Sequence, residues 1–474
     1  MLCILSSNIV TKLLWAGSIV VLMHGLGPDG YGLLVTVWAF AGLMAGISDL
    51  GTSQALLRKC SREGQTTLPY LRTALFIKMW LTTPLWLLVA LVALWFRGTG
   101  NGWTWSWVAT IGLAALAPLI DHFQTVFTVI TQMLRRLDLY AMSRAAYFIA
   151  VFISFALVLA LGGSTLGISL AYCLVTIAYV IRFGHQGLQL IHGHHGKLPG
   201  RYPLNSAIRE GLPFLGTTLL ALAYYRVDVM LLGFLGSDRE AGIYAGQYQL
   251  VLLFYMIPGA LFSVLFPDLY RCSQDTRFLQ EQFDKNCRYL NLLSWLVTPC
   301  LFFQAHAVMH ILGGKAFASE YRSLQVLCFF IPMVPFAVAL NFLTAMDKLP
   351  ARIGCEFAAL VITFLGGVLV IPVYSTIGMA IVALLAYALS GVLALVTLVR
   401  KGRIHLRQVG RDWAGMSVRI IPALILFLLP ESIWWLKGAL FVAAALSILS
   451  WSRFWNHEDA ALCQHALGLL RRRA

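Results

Sequence analysis

Residues Tyr224–Tyr248 read YYRVDVMLLGFLGSDREAGIYAGQY. Arg226 and Asp228 stand inside an otherwise apolar run from Leu212 to Leu235. A charge at the centre of a membrane span costs about 2.5–3.5 kcal/mol, so two in one span need a physical reason. The run ends in a short turn, Gly236-Ser237-Asp238, and a second apolar helix opens at Gly242-Ile243-Tyr244. The same phrase stands near the N-terminus as Leu26-Gly27-Pro28-Asp29-Gly30-Tyr31-Gly32, again between two apolar helices. The chain therefore reads as two copies of one membrane unit, each opening with a helix, an LG-x-D turn and a helix.

Composition agrees. Of 474 residues, 59% are hydrophobic and 12% charged, and the mean hydropathy is +0.78. A soluble domain carries about 25% charged residues. This is an all-α polytopic membrane protein with little material left for a soluble domain. The net charge of +15 would suggest nucleic acid in a soluble chain. Here it reads as topology, because basic residues collect in cytoplasmic loops. The nine cysteines are scattered singly and no C-x-x-C occurs, so neither a disulfide framework nor a zinc site is signalled. The opening MLCILSSNIVTKLLWAGSIVVLM lacks a basic n-region and an A-x-A site, and reads as a first spanning helix rather than a cleaved signal.

At about 20 apolar residues per span, the chain predicts about fourteen transmembrane helices. They lie at 4–23, 31–48, 74–96, 105–130, 145–162, 165–182, 212–235, 242–266, 290–312, 323–346, 354–373, 376–399, 418–436 and 438–452. With the N-terminus inside, basic residues fall in the inner loops from Arg58 to Arg72, Arg135 to Arg144, Arg182 to Arg209, Arg271 to Arg288, Lys348 to Arg352 and Arg400 to Arg419, and in the tail. The outer loops carry only Arg97, Arg239, Lys315 and Lys437, with Arg322 at a boundary. A wrong helix count would scramble this alternation, so both termini are expected inside. The inner loop 183–211 holds GHQGLQLIHGHHGKLPG and reads as a connector between the sixth and seventh helices. The tail 453–474 is expected on the inner surface, its arginines near anionic lipid.

The repeated phrases resemble the polysaccharide transporter family, including O-antigen (Wzx-type) flippases, of the multidrug/oligosaccharidyl-lipid/polysaccharide flippase superfamily. The matching stretches are HGLGPDGYGLL and SDLGTSQALLRK, then RVDVMLLGFLGSDREAGIYAGQYQL and PGALFSVLFPDLYR, then ILGGKAFASEYRSLQVLCFF, LTAMDKLP and IPVYSTIGMAIVALLAY. They stand in the family's order and cover the first twelve helices. The resemblance implies two six-helix bundles, 1–182 and 212–399, around a central cavity that opens alternately to each side. The linker 183–211 joins them, and the basic loop 400–417 leads to an extra helix pair at 418–452. It also implies the cargo, a polyprenyl-pyrophosphate-linked oligosaccharide flipped from the cytoplasmic to the periplasmic leaflet of a bacterial inner membrane. The pathway would be O-antigen or exopolysaccharide biosynthesis, with membrane lipid, a polysaccharide polymerase and chain-length machinery as partners. No cofactor is implied.

Such a headgroup cannot cross lipid unaided, since each unpaired hydroxyl costs roughly 4–8 kcal/mol in a hydrocarbon-like medium. A wet cavity removes that cost, and mid-membrane ionisable residues would line it. Arg226 reads as a phosphate-binding cation or as half of an internal ion pair with Asp228, Asp121 or Asp49. Two residues apart on a helix, Arg226 and Asp228 point to nearly opposite faces and do not pair directly. Lys12 divides evenly between the cavity and snorkelling to the inner interface. Asp228 resembles an aspartate common at this place in the family, and reads either as a gating or ion-coupling group or as a structural hydrogen bond. Asp121 and His122 interrupt the fourth helix; a packing contact is the plainer reading and a cation-linked site the alternative. Asp49 is expected at the inner surface, bracing the cavity mouth. Lys78, one turn into the third helix, is expected to snorkel.

Other features carry bland readings. His306 and His310 share a helix face without a third metal ligand, and His192, His194 and His195 are expected to be solvated in the inner loop. Trp103, Trp105, Trp107, Trp434, Trp435, Trp451 and Trp455 lie at helix ends and read as an interfacial belt, with sugar stacking the alternative for the first three. Glu356 begins the eleventh helix and is assigned no function. No Walker loop, H-E-x-x-H or G-x-S-x-G is present, so nothing supports ATP hydrolysis or covalent catalysis. The alternatives are a cation-coupled multidrug antiporter of the same superfamily and, remotely, a polysaccharide polymerase or ligase, for which the outer loops are too short.

Overall fold

A computed structural model describes residues 2–63, 68–98, 104–133, 136–192, 202–271, 275–346, 348–400, 404–407, 409–411, 440–441 and 443–444. The predicted spans 418–436 and 438–452 and the tail fall outside these, apart from Leu440, Phe441, Ala443 and Ala444. So do Trp103, His194 and His195. Among the described residues there are helices and no strands. The first half of the chain holds α1 (Leu2–Asp49), α2 (Thr52–Glu63), α3 (Leu68–Gly98), α4 (Trp105–Asp121), α5 (Gln124–Met133), α6 (Leu137–Ala160) and α7 (Thr165–His192). The second holds α8 (Leu204–Tyr224), α9 (Val227–Leu235), α10 (Asp238–Arg271), α11 (Thr276–Phe303), α12 (Ala305–Gly313), α13 (Lys315–Ala318) and α14 (Tyr321–Leu327). A 3₁₀ turn at Cys328–Met333 leads to α15 (Val334–Ala345) and then α16 (Leu349–Arg400).

Among the described residues, seven helices are long and apolar enough to cross a membrane, or nine if each sharply bent pair is one span. Two of them hold two predicted spans each. α1 breaks at Gly27, with φ 67°, a conformation glycine reaches without the penalty of a Cβ. Trp15 and Trp38, on either side of that break, have ring centroids only 6.1 Å apart. A straight helix would separate them by about 35 Å at 1.5 Å per residue, so the LG-x-D turn reverses the chain. α16 breaks at Ser375, with φ 50°, and reverses likewise, since a Cβ on Gly366 would stand 2.7 Å from Val382.

Four predicted spans are interrupted, the tenth by the 3₁₀ turn between α14 and α15. The fourth divides into α4 and α5 at His122 and Phe123. The seventh divides into α8 and α9, bent by 58°, and the ninth into α11 and α12, bent by 77°. Loops also proved shorter than read. α7 runs to His192 and α8 begins at Leu204, so the 183–211 stretch is helical at both ends.

α1 packs against α3, α4 and α6, and α16 against α9, α14 and α15. The two repeats meet along a seam where the second half of α1 runs antiparallel to α9 and then α8, and the first half of α1 also touches α10. A Cβ on Gly32 would stand 1.6 Å from the carbonyl oxygen of Asp238, and one on Gly242 2.1 Å from that of Pro28. The two LG-x-D turns are thus in backbone contact. Farther along, Gly233 abuts Thr36 and Gly46 abuts Leu222. At the far end a Cβ on Gly51 would stand 2.2 Å from the carbonyl oxygen of Gly211, and one on Gly211 2.3 Å from that of Leu50. The two end contacts are about 28 Å apart along α1, close to the thickness of a bilayer core.

Trp105 and Trp107 are exposed at the start of α4, at the helix end expected of an interfacial residue.

Overpacking at the seam gives the first test. Gly32→Ala and Gly242→Ala should each destabilise the detergent-solubilised protein by about 1–3 kcal/mol, read as a lower thermal midpoint. Gly42→Ala, whose Cβ would meet nothing within 4 Å, should leave it within about 0.5 kcal/mol.

Candidate functional site

The charged residues of the spans divide into two groups by their partners. In the first group every charge is matched. Lys78 is fully buried, and its ammonium donates to Asp49 Oδ1 at 2.7 Å, the His122 carbonyl at 2.9 Å and Thr125 Oγ1 at 2.8 Å. An ammonium has three donors, so it is saturated. Asp49 also accepts from the backbone N–H and the hydroxyl of Ser53. The His122 carbonyl lies in the turn between α4 and α5, where it also accepts the Thr125 N–H at 3.2 Å and the Thr125 hydroxyl at 2.8 Å. Lys78 therefore does not snorkel, and Asp49, 5% exposed, is buried within the protein. The pair closes on itself because a second-helix carboxylate and a third-helix ammonium meet at one break, which no local pattern announces.

Asp121 is likewise taken. Arg144 donates to its Oδ1 at 3.0 Å and Gln124 to its Oδ2 at 3.2 Å. The Arg144 guanidinium lies over the rings of Phe148 at 4.7 Å, Tyr147 at 5.0 Å and Tyr179 at 5.9 Å, an arrangement that offsets its desolvation.

Asp228 is 5% exposed, in the first turn of α9 just past the break at Tyr225-Arg226. Its Oδ1 accepts the Val229 N–H at 2.8 Å and its Oδ2 the Tyr244 hydroxyl at 2.9 Å. A carboxylate at a helix N-terminus satisfies orphan donors and favours the dipole. Irregular backbone is tolerated at membrane depth where it is buried in protein or lines a cavity. Both conditions are met here, with Asp228 on the buried side and Arg226 on the open one.

Arg226 and Lys12 form the second group. Among the described residues neither makes a side-chain hydrogen bond or ion pair, and both are exposed. They line one cavity of about 480 Å³. Lys12 stands on the cavity wall, and among the described residues Arg226 forms no ion pair with Asp49, Asp121 or Asp228. The cavity also holds Arg352, which donates to Glu356 Oε1 at 2.9 Å and Thr344 Oγ1 at 2.6 Å. Aromatic side chains supply much of its wall, including Trp15, Tyr224, Tyr225, Tyr248 and Tyr387. Tyr255, also on the wall, donates its hydroxyl to the Phe330 carbonyl at 2.7 Å, and its oxygen lies 3.1 Å from the Tyr387 hydroxyl.

The cavity lies on one side of the seam. Near Gly27 the first half of α1 touches α10, where a Cβ on Gly246 would stand 2.8 Å from Met23. Toward Gly51 the two part, and Lys12 and Trp15 face the cavity with Val251 and Gly259. The site is thus closed at the Gly27 end and spacious toward the Gly51 end. Such a space can hold an anion by Lys12 and Arg226 and stack rings on its tyrosines.

Sequence reading missed Arg352 and the tyrosine wall. In the sequence Arg352 reads as a loop charge, and Glu356 as a helix-terminal one. The available signal was the tyrosines themselves, polar-tipped rings at mid-span in the quoted stretch.

A family model described as "Polysaccharide biosynthesis protein" matches residues 1–272. No curated protein matches the chain. Among solved structures, the chain is similar to the lipid II flippase MurJ in an inward closed conformation. Identity is 12% over 95% of this chain and 98% of that one, with a TM-score of 0.76. It is also similar to an inward-facing multidrug resistance MATE family transporter of the MOP superfamily, at 12% identity over 82% and 93% of the two chains, TM-score 0.62. A third similar structure is a MOP superfamily transporter from Pyrococcus furiosus, described as having a binding pocket of reverse polarity. Identity there is 13% over 87% and 94%, TM-score 0.59.

The buried Asp49–Lys78 pair makes its own prediction. Lys78→Met or Asp49→Asn alone leaves an uncompensated buried charge and should cost about 3–5 kcal/mol. The double variant should recover most of that loss in thermal unfolding of the solubilised protein. Additive losses would mean the two groups are not coupled.

Proposed function

The chain belongs to the family of polysaccharide biosynthesis proteins and has the fold of MOP-superfamily transporters, not that of an enzyme; from that premise we propose that it is a flippase for a polyprenyl-pyrophosphate-linked oligosaccharide. It moves this lipid from the cytoplasmic to the periplasmic leaflet of a bacterial inner membrane, for O-antigen or exopolysaccharide synthesis. The observation that carries the reading is the cavity with two cations, Lys12 and Arg226, that have no side-chain partner among the described residues, against an aromatic wall. Pyrophosphate meets the cations, sugar rings meet the tyrosines, and the prenyl tail stays in lipid.

The Gly51 end is assigned to the cytoplasm, because basic residues concentrate there. Both termini then lie inside. The cavity is accessible from the side where the cargo is made, with the Gly32–Gly242 contact closing the periplasmic side. In the alternating cycle the two six-helix bundles rock about the seam. Asp228, Asp121 and Asp49 serve gating rather than cargo, since each braces a helix break or corner with its oxygens already used. An anionic headgroup leaving an inside-negative cell gains about 2.3 kcal/mol per charge per 100 mV, so outward movement needs no ATP.

The multidrug alternative calls for free carboxylates to receive a cation. Among the described residues lining the cavity the carboxylate is Glu356, and it is paired with Arg352.

The test is a lipid extraction from a strain lacking this chain, with the sidedness of any accumulated polyprenyl-linked glycan measured by its access to lectin in inverted and right-side-out vesicles. Accumulation in the cytoplasmic leaflet, relieved by the wild-type chain, is expected. Arg226→Ala and Lys12→Ala should each restore export at least about tenfold less well at equal membrane abundance, as loss of one charge-assisted contact predicts. No accumulation, with new sensitivity to cationic dyes, would replace the flippase reading with the drug antiporter.

A further inference from the structure

We propose that Glu356 sets the charge selectivity of the cavity, favouring a pyrophosphate esterified at both ends over the bare carrier pyrophosphate. The inference rests on the flippase reading and concerns which form of the lipid is accepted.

Three cations and one carboxylate stand among the described charged residues lining the cavity: Lys12 from α1, Arg226 from the α8–α9 break, and Arg352 and Glu356 from α16. Their formal sum is two positive charges. A carrier with a sugar on its pyrophosphate is a diester of two strong acids, and brings two negative charges at neutral pH. The same carrier without sugar ends in a phosphate monoester. The second proton of such a group leaves near pH 6, so the bare lipid brings about one negative charge more. A cavity of three cations alone would match the bare lipid. Glu356 shifts the match to the glycosylated one.

The geometry lets Glu356 do this without removing Arg352 as a ligand. Arg352 uses its Nε–H on Glu356 at 2.9 Å and one Nη1–H on Thr344 at 2.6 Å. A guanidinium has five N–H donors, so three remain for an anion. Glu356 and Thr344 are positioning residues for Arg352, and Glu356 is also the repelling charge. Glu356 is 8% exposed, so its field is weakly screened inside the cavity. The groups that act on it are Arg352 and Cys355 on its own helix, Tyr224 at the end of α8 and Tyr225 at the α8–α9 break, with Lys12 and Arg226 across the cavity. The cations among them are those the anion engages, which leaves the extra charge of a monoester opposed by Glu356. Like charges brought together in a desolvated site cost enough to decide between two otherwise similar ligands. Selection of this kind keeps the unloaded carrier from competing with the loaded one.

The experiment measures binding of two short-chain probes, geranyl pyrophosphate and geranyl pyrophosphoryl glucose, to the purified full chain at neutral pH by calorimetry. The wild type should favour the diester by about tenfold. Glu356→Gln keeps an oxygen for the Arg352 Nε–H, and should bind the monoester about tenfold tighter and lose the preference. Glu356→Asp keeps the charge and should keep the preference, even with both affinities shifted. A wild type that binds the monoester as tightly as the diester overturns the proposal, and needs no variant to do so. An unchanged ratio in Glu356→Gln also overturns it, while diester binding lost in Arg226→Ala would leave the flippase reading standing. If neither probe binds the wild type, the flippase reading fails and the selectivity with it.

Discussion

The carbonyl oxygens of Asp238 and Pro28 occupy the places where Cβ atoms would stand on Gly32 and Gly242. That contact between two reversing turns sets the distance between the repeats at one end, and Gly51 against Gly211 sets it at the other. In lipid no hydrophobic force draws apolar helices together, so association depends on close packing and small residues. With the second half of α1 laid along α8 and α9, the first half of α1 is free to diverge from α10. The cavity is the space left by that divergence.

Charges within the spans follow from this frame. A charge that is not needed for cargo has to be matched where it stands, and Lys78, Asp49, Asp121, Arg144 and Asp228 all are. Their matches cluster at helix breaks. Lys78 shares the His122 carbonyl in the turn between α4 and α5, and Asp228 takes the Val229 N–H in the first turn of α9. Broken helices and buried charges are thus two sides of one arrangement, each satisfying what the other leaves open. Lys12 and Arg226 stand outside it, and for that reason they are the groups with interaction to offer a ligand.

The Arg-x-Asp phrase shows how such a pair is read in sequence. Spacing of two on a helix places Arg226 and Asp228 on opposite faces, and that much is legible without coordinates. The break between them was not, since neither proline nor glycine stands at Tyr225-Arg226 to announce it. Lys78 misled for a related reason. A lysine one turn from a helix end can snorkel by its own geometry, and only a carboxylate arriving from another helix makes burial the better choice. Arg352 and Glu356 were passed over because at a helix end both look solvated, and the cavity that reaches them is a property of the packed bundle.

Sequence alone determined the class of protein, the first twelve apolar helices and the duplicated turn. These follow from local physics, namely the length of an apolar run against the thickness of a bilayer, and glycine where the backbone must reverse. It also narrowed the ionisable residues to a short set, because charges are rare and costly in such spans. Tertiary structure alone decided which of those charges are matched and which are free. Matching depends on carbonyls and carboxylates brought from helices 29 to 44 residues away in sequence, as Lys78 with Asp49 and with His122 illustrates. Distances of that kind are set by how α1, α3 and α4 pack together, and no periodicity within one helix encodes them.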